Sequence, residues 1–85
     1  MSAITFSAPV EHERGGEVAF TTAMVYAPSG LVVAEIAKDA WTNEYKVREP
    51  FGRWSKPVTR ARAIRIAEYK ASLAAKAVEA LVASK

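Results

Sequence analysis

The side chains best able to act on another molecule are the basic residues in the middle of the chain. Between Lys46 and Lys70 there are eight Lys or Arg residues and only two Glu residues, whereas the whole 85-residue chain has a net charge of +3 at pH 7. Arginine makes bidentate contacts with phosphate and carboxylate groups, and a tryptophan among basic residues can stack on a nucleotide base. We therefore predict one continuous basic surface for an anionic partner. Its predicted members are Lys46, Arg48, Arg53, Trp54, Lys56, Arg60, Arg62 and Arg65.

Two other interpretations of this segment remain open. Trp54 can belong to the core, and the arginines can form ion pairs with acidic residues of the same chain, namely Glu44, Glu49 or Glu68. Three of the arginines fall in the first two turns of a predicted helix, where the helix dipole favours carboxylates and disfavours cations by a few tenths to about 1 kcal/mol each. That cost favours an anionic partner as compensation.

The sequence contains no group of residues that indicates catalysis or metal binding. General acid–base and nucleophilic catalysis need converging groups, and the one histidine, His12, lies between two glutamates in a predicted loop. The chain has no cysteine to bind Zn²⁺, and its acidic residues do not follow the Asp-x-Asp pattern of calcium loops. We therefore expect a non-catalytic protein without cofactor or metal, in which His12 is solvated.

An antiparallel sheet followed by one helix is predicted to position the basic residues. Alternating apolar and polar residues indicate strands, and glycine- or proline-containing turns separate them. Residues 11–16 are polar, end in Gly-Gly and are predicted to form a turn. Because the connections are short, consecutive strands should pair with each other. The strands are predicted at about 3–10, 17–27, 31–37 and 41–48.

The helix is predicted to begin near Thr59, whose hydroxyl is a competent N-cap, and to end at about Ala83. No glycine or proline interrupts residues 60–83, and nine of them are alanine, the strongest helix former. Such a helix spans roughly 36 Å, against about 27 Å for an eight-residue strand, so we expect it to extend beyond the sheet. The predicted fold is a single α+β domain over residues 1–85. It is a β-meander of three to four strands packed by one long C-terminal α-helix, in ββββα order.

The apolar residues of the predicted helix form two stripes when they are placed at about 100° per residue. The first is centred on Ile66 and is expected to pack on the sheet. The second can be an alanine-rich surface of no special function, or it can pack on a second copy or another partner. The candidate homodimer face consists of Ile64, Ala71, Ala75, Val78 and Val82.

Residues 41–67 resemble the arm-type DNA-binding domains of phage integrases. The resemblance covers about a third of the chain and lies in a generic pattern of two strands, a turn and a Thr-x-x-x-Ala helix start. It implies DNA recognition by the sheet. The residues that carry it are Trp-Thr-Asn-Glu-Tyr-Lys-Val-Arg at 41–48, Phe-Gly-Arg-Trp at 51–54 and Thr-Arg-Ala-Arg-Ala at 59–63.

Two functions follow from these expectations. The first is a small binding protein that docks on an acidic protein or nucleoprotein through the basic surface and the helix. In size and style it is similar to accessory and inhibitor proteins of phages and mobile elements, anti-CRISPR proteins among them. The alternative is a DNA- or RNA-binding module that uses the same surface. The modest net charge and the acidic residues Glu11, Glu13 and Glu17 favour the first.

The sequence also favours a cytoplasmic location without a membrane partner. Small secreted domains usually carry disulfides, and this chain has no cysteine. No apolar run approaches the roughly 18 residues of a membrane helix, and residues 1–10 do not have the pattern of a signal peptide.

Overall fold

An antiparallel sheet followed by one C-terminal helix makes up the fold, as the sequence predicts, and the sheet has five strands instead of three to four. The computed structural model describes the backbone of residues 4–83 and the side chains of residues 4–77 and 80. The sheet order is β1-β3-β4-β5, with β2 paired to β3 as well. The elements are β1 (Thr5–Phe6), β2 (Val10–Arg14), β3 (Glu17–Tyr26), β4 (Val32–Asp39), β5 (Tyr45–Arg48) and α1 (Arg60–Ala83).

β1 and β2 form an interrupted edge strand along β3. β1 pairs with Val25 and Tyr26, and β2 pairs with the first half of β3. Pro9 lies in the break, where it has no N–H to donate to a ladder. The prediction that residues 11–14 belong to a turn is therefore wrong, because pairing with β3 stabilises this polar segment as a strand. The turn itself contains only Gly15 and Gly16, whose φ angles of 64° and 83° suit a tight hairpin.

The fourth predicted strand, 41–48, is shorter than expected because its first residues form a loop. Asp39 Oδ1 accepts hydrogen bonds from the backbone N–H groups of Trp41, at 2.8 Å, and Thr42, at 2.9 Å. Asn43 has a φ of 58° in the left-handed region, which asparagine tolerates better than most residues. Strand β5 therefore starts only at Tyr45, and Trp41 does not share its apolar face but is 66% exposed.

The free side of β5 is covered by residues 53–59, which lead into the helix and which we call the covering segment. Tyr45 and Val58 exchange two backbone hydrogen bonds, at 3.0 and 2.7 Å, and the Ser55 N–H donates to the Val47 carbonyl at 2.8 Å. This segment therefore satisfies backbone groups of β5 that would otherwise be exposed at the sheet edge.

Helix α1 packs on β4 and β5 through a stripe of alanines. Ala63, Ala67 and Ala71 are buried against a core that includes Val25 and Val47. The stripe lies between the two apolar stripes expected from the sequence, because small side chains allow the closest approach of helix and sheet. Larger neighbours such as Ile66 are only partly buried beside it.

The ends of α1 agree with the predictions. The Thr59 hydroxyl accepts a hydrogen bond from the Arg62 N–H at 3.2 Å, as expected of an N-cap. Beyond Ala74, which packs against the core, the described side chains at 75–77 and 80 are exposed. The helix therefore continues past the sheet.

Candidate functional site

The structure places the predicted basic residues in three segments, namely strand β5, the covering segment and the start of α1. Lys46 and Arg48 lie on β5, on the face of the sheet that points away from α1, which we call the open face. Trp54 lies against this open face as well. The remaining five cations lie in the covering segment and at the start of α1. We call these five the basic cluster: Arg53, Lys56, Arg60, Arg62 and Arg65.

Arg48 is engaged within the protein rather than free for a partner. Its guanidinium approaches Glu35 Oε1 at 2.6 Å and lies over the Trp54 ring, 4.3 Å from the centroid. Glu35 and Arg48 are also direct neighbours across β4 and β5. Trp54 is half-buried on the open face rather than in the core beneath α1. This Glu35–Arg48–Trp54 contact fixes the covering segment on the sheet and neutralises the Arg48 charge.

The basic cluster, in contrast, lies in a stretch without carboxylates. No Asp or Glu occurs between Pro50 and Ala67, and the first turn of α1 contains no acidic residue. All five side chains are exposed. The ion pairs Arg48–Glu35 and Lys70–Glu49 do not involve the basic cluster. Its positive charge is therefore directed to solvent.

The Lys70–Glu49 pair marks one limit of the basic cluster. Lys70 Nζ lies 2.7 Å from Glu49 Oε1. The hydrogen bond and charge of Lys70 hold the pKa of the Glu49 carboxyl below its ordinary value of 4.5. Glu49 is thus ionised at neutral pH and paired with a lysine, not with one of the arginines as the alternative interpretation expected.

A shallow cleft on the open face is lined by two aromatic rings. Phe20 and Trp54 line this cleft of about 280 Å³ over Ala37, with polar side chains around them. The other lining residues are Asp39, Thr42, Glu44, Lys46 and Pro57. Carboxylates and a cation occur together here, so the cleft has no single charge preference.

His12 lies beside this cleft and is not the solvated loop residue that was predicted. Its ring stacks on Phe20, with centroids 4.4 Å apart, and its Nε2 lies 2.9 Å from Thr22 Oγ1. The prediction is wrong because residues 10–14 form a strand, which places His12 opposite Phe20 in the ladder. Both ring contacts give His12 a structural role.

A larger groove lies on the other side of the sheet, beside α1. We use "the groove" for this space of about 540 Å³, which the sequence did not predict because it forms between distant segments. Apolar side chains dominate its described lining, in which the charged residues are Lys38 and Arg60. The lining residues are Phe6, Ser7, Pro9, Thr21, Thr22, Ala23, Ile36, Lys38, Tyr45, Arg60, Ala63 and Ile64.

The candidate homodimer face is not one continuous surface. Ala71 is only 1% exposed and packs in the core of its own chain, so it is unable to contact a second copy. Ile64 lines the groove, and Ala75 is exposed farther along the helix. The side chains of Val78 and Val82 lie outside the described residues. A homodimer through this face stays a prediction.

The described part of the chain contains neither a metal-ligand cluster nor a helix that could span a membrane. There, no three His, Cys, Asp or Glu side chains are grouped in a way that could hold a metal ion. Within the same residues, α1 is not apolar enough over its length to cross a membrane.

Comparisons with known proteins add no assignment. No family model matches the chain, and no curated protein and no solved structure is significantly similar to it. The proposed function therefore rests on the surfaces of the protein itself.

Proposed function

We propose that this protein is a non-catalytic binding module that docks on an acidic protein or nucleoprotein partner through the basic cluster and the start of α1. The observation that supports this most strongly is the stretch from Pro50 to Ala67, which has five exposed cations and no carboxylate. An acidic surface would neutralise these charges, and arginine can do so with paired hydrogen bonds to carboxylate or phosphate.

The location of the arginines supports the same conclusion. Arg60, Arg62 and Arg65 occupy the first two turns of α1, where the dipole opposes positive charge. Elsewhere the chain uses cations to stabilise its own fold, as Arg48 and Lys70 do through their ion pairs. Cations that lower helix stability and lie in a stretch of the chain without carboxylates fit a role in binding.

Capture from a lysate of the source organism tests the proposal. The double variant Lys56→Glu/Arg62→Glu reverses one charge in each segment of the basic cluster. A matched control, Arg14→Glu/Lys76→Glu, makes the same change in net charge at two exposed cations elsewhere. We expect the wild type and the control to retain the same proteins after nuclease treatment, and the cluster variant to lose them. Equal capture by both variants would refute the proposal.

Nuclease treatment separates this proposal from direct DNA or RNA binding, which the five cations also favour. If five phosphates were neutralised, log K against log salt concentration would have a slope of about −4 to −5. Capture that disappears with nuclease, together with that slope for purified nucleic acid, would replace the proposed function by the nucleic-acid alternative.

A further inference from the structure

We infer that the groove beside α1 binds an amphipathic helix with acidic flanks, supplied by a partner protein. The inference rests on the proposed function in one respect, since both require an acidic partner. It adds a second contact surface, on which apolar packing rather than charge alone holds the partner.

The width of the sheet indicates the shape of the occupant. Neighbouring strands lie about 4.8 Å apart and packed helices about 10 Å apart, so a sheet four strands wide has room for two helices side by side. Helix α1 packs on β4 and β5, and the described residues contain no second helix. The groove beside α1, over β1, residues 7–9 and the middle of β3, is therefore about one helix wide.

The lining of the groove favours an apolar helix face. Phe6 is 50% exposed on one wall, and Ile64 is half-buried on the other. Ala23 and Thr21 form a floor of small side chains between them. A helix that places leucine-sized residues on this floor would cover Phe6 and Ile64 and remove their apolar surface from water.

The charges around the groove select acidic flanks. Lys38 and Arg60 are both exposed, and the described residues that line the groove include no carboxylate. The same charges disfavour a second copy of α1, whose exposed side chains include Arg62, Arg65 and Lys76. Charge complementarity therefore favours a different, acidic protein as the source of the helix.

The edges of the sheet exclude the other common mode of peptide docking, the addition of a strand. The β1–β2 edge is interrupted at Pro9, and its register shifts between His12 and Glu13, two features that prevent regular pairing. The β5 edge is covered by the segment around Ser55 and Val58. A helix in the groove needs neither edge.

Peptide titrations monitored by NMR of the isotope-labelled full chain test the inference. The probe is a synthetic acidic amphipathic peptide of about 18 residues with leucine on one face and glutamate on its flanks. The controls are a scrambled peptide of the same composition and a version with lysine in place of glutamate. We expect saturable shifts at Ala23, Ile36 and Ile64 with the acidic amphipathic peptide and none with either control.

Matched charge reversals locate the contact. Lys38→Glu should weaken binding of the acidic peptide about fivefold or more and allow the lysine peptide to bind, whereas Lys76→Glu should change either affinity less than about twofold. Equal weakening by both variants, shifts confined to the open face, or no saturable shift would overturn the inference. NMR shifts at the groove that change with protein concentration in the absence of peptide would overturn it too, because they would show that a second copy of the chain occupies the groove.

The two proposals fail separately. If Lys38→Glu and wild type capture the same lysate proteins while Lys56→Glu/Arg62→Glu loses them, the basic cluster is the docking surface and the groove inference is wrong. If the acidic peptide binds the groove as expected but the cluster variant still captures every protein, the groove inference stands and the basic cluster is not the docking surface.

Discussion

Phe6 and Val25 show that helix α1 covers only one half of the sheet face on which it packs. They are direct partners across β1 and β3, yet Val25 is completely buried and Phe6 is 50% exposed. The helix packs on β4 and β5 and includes Val25 in the core, but its cover ends before Phe6. Burial on this face therefore depends on the position of α1 and not on the apolar character of the strand residues.

The two halves of this sheet face also lie opposite different residues of α1. The covered half meets the small alanines of α1, among them Ala63 and Ala67, which allow close packing. The uncovered half faces Ile64 and Arg60 of α1, and Lys38 of β4 lines the same space. This difference indicates that the first half stabilises the fold of the chain alone, and we propose that a partner helix buries the second half.

The largest expected effect compares the same charge at the two paired positions. Val25→Glu places a carboxylate in a fully buried site without a partner and should cost more than about 4 kcal/mol, most of the stability of a small domain. Phe6→Glu can keep its charge in water and should cost roughly 1 to 2 kcal/mol. Urea unfolding followed by circular dichroism measures both. Similar losses would show that the two halves are equally covered.

A smaller effect tests the close approach of α1 to the covered half. Ala67→Leu adds three heavy atoms where Ala67 is completely buried, and overpacking of this kind should cost about 1 to 3 kcal/mol. The control Ala61→Leu makes the same change on an exposed position of the same helix and should stay within about 0.5 kcal/mol of the wild type. The comparison fails if both variants unfold at the same urea concentration.

A pH titration tests how firmly the β4–β5 hairpin under α1 is held. Hydrogen bonds from the Thr42 and Trp41 N–H groups lower the pKa of Asp39 from its ordinary 3.8. Because the folded-state pKa is the lower one, the stabilisation exists above the unfolded-state value and is lost as pH falls through the folded-state value. Asp39→Ala should therefore be less stable at neutral pH and lose less stability on acidification.

Asp39→Asn is the matched control for this titration. Its side-chain oxygen can still accept from both N–H groups but does not titrate. It should be more stable than Asp39→Ala at neutral pH, and its acid profile should lack the contribution of Asp39. The unfolding temperatures of the wild type and the two variants, measured across the acid range, test this. Identical pH profiles for all three proteins would show that the Asp39 side chain does not stabilise the loop.

The element order could be predicted because the local signals agreed with the tertiary structure. The Gly15–Gly16 turn, the alternation of β3 and the alanine-rich helix behind Thr59 are all visible in sequence. β2 was missed because its residues are polar, and pairing with β3 decides their conformation. Trp41 was misplaced because a hydrogen bond from its N–H to the Asp39 side chain competes with the strand.

The candidate sites were harder to predict because they depend on contacts between distant segments. Nothing in the sequence near Arg48 indicates Glu35, its neighbour across the sheet, so the ion pair that engages Arg48 within the chain was not predicted. The face of α1 that packs on the sheet was predicted wrongly because large apolar residues dominate a periodicity pattern. In the structure the small side chains of Ala63, Ala67 and Ala71 face the sheet, since they allow the closest approach. The groove is bounded by residues from Phe6 to Ile64 and has no local signature.

The Arg62→Glu variant tests the central claim most directly, when its stability and its partner capture are measured on the same preparation. Glutamate at this position suits the helix dipole and can complete a capping box with Thr59, so unfolding should require about 0.3 to 1 kcal/mol more free energy. If Arg62 is present for binding, the more stable variant should lose the proteins that the wild type captures. A stabilised variant that captures all of them, or a variant with no gain in stability, would contradict the account.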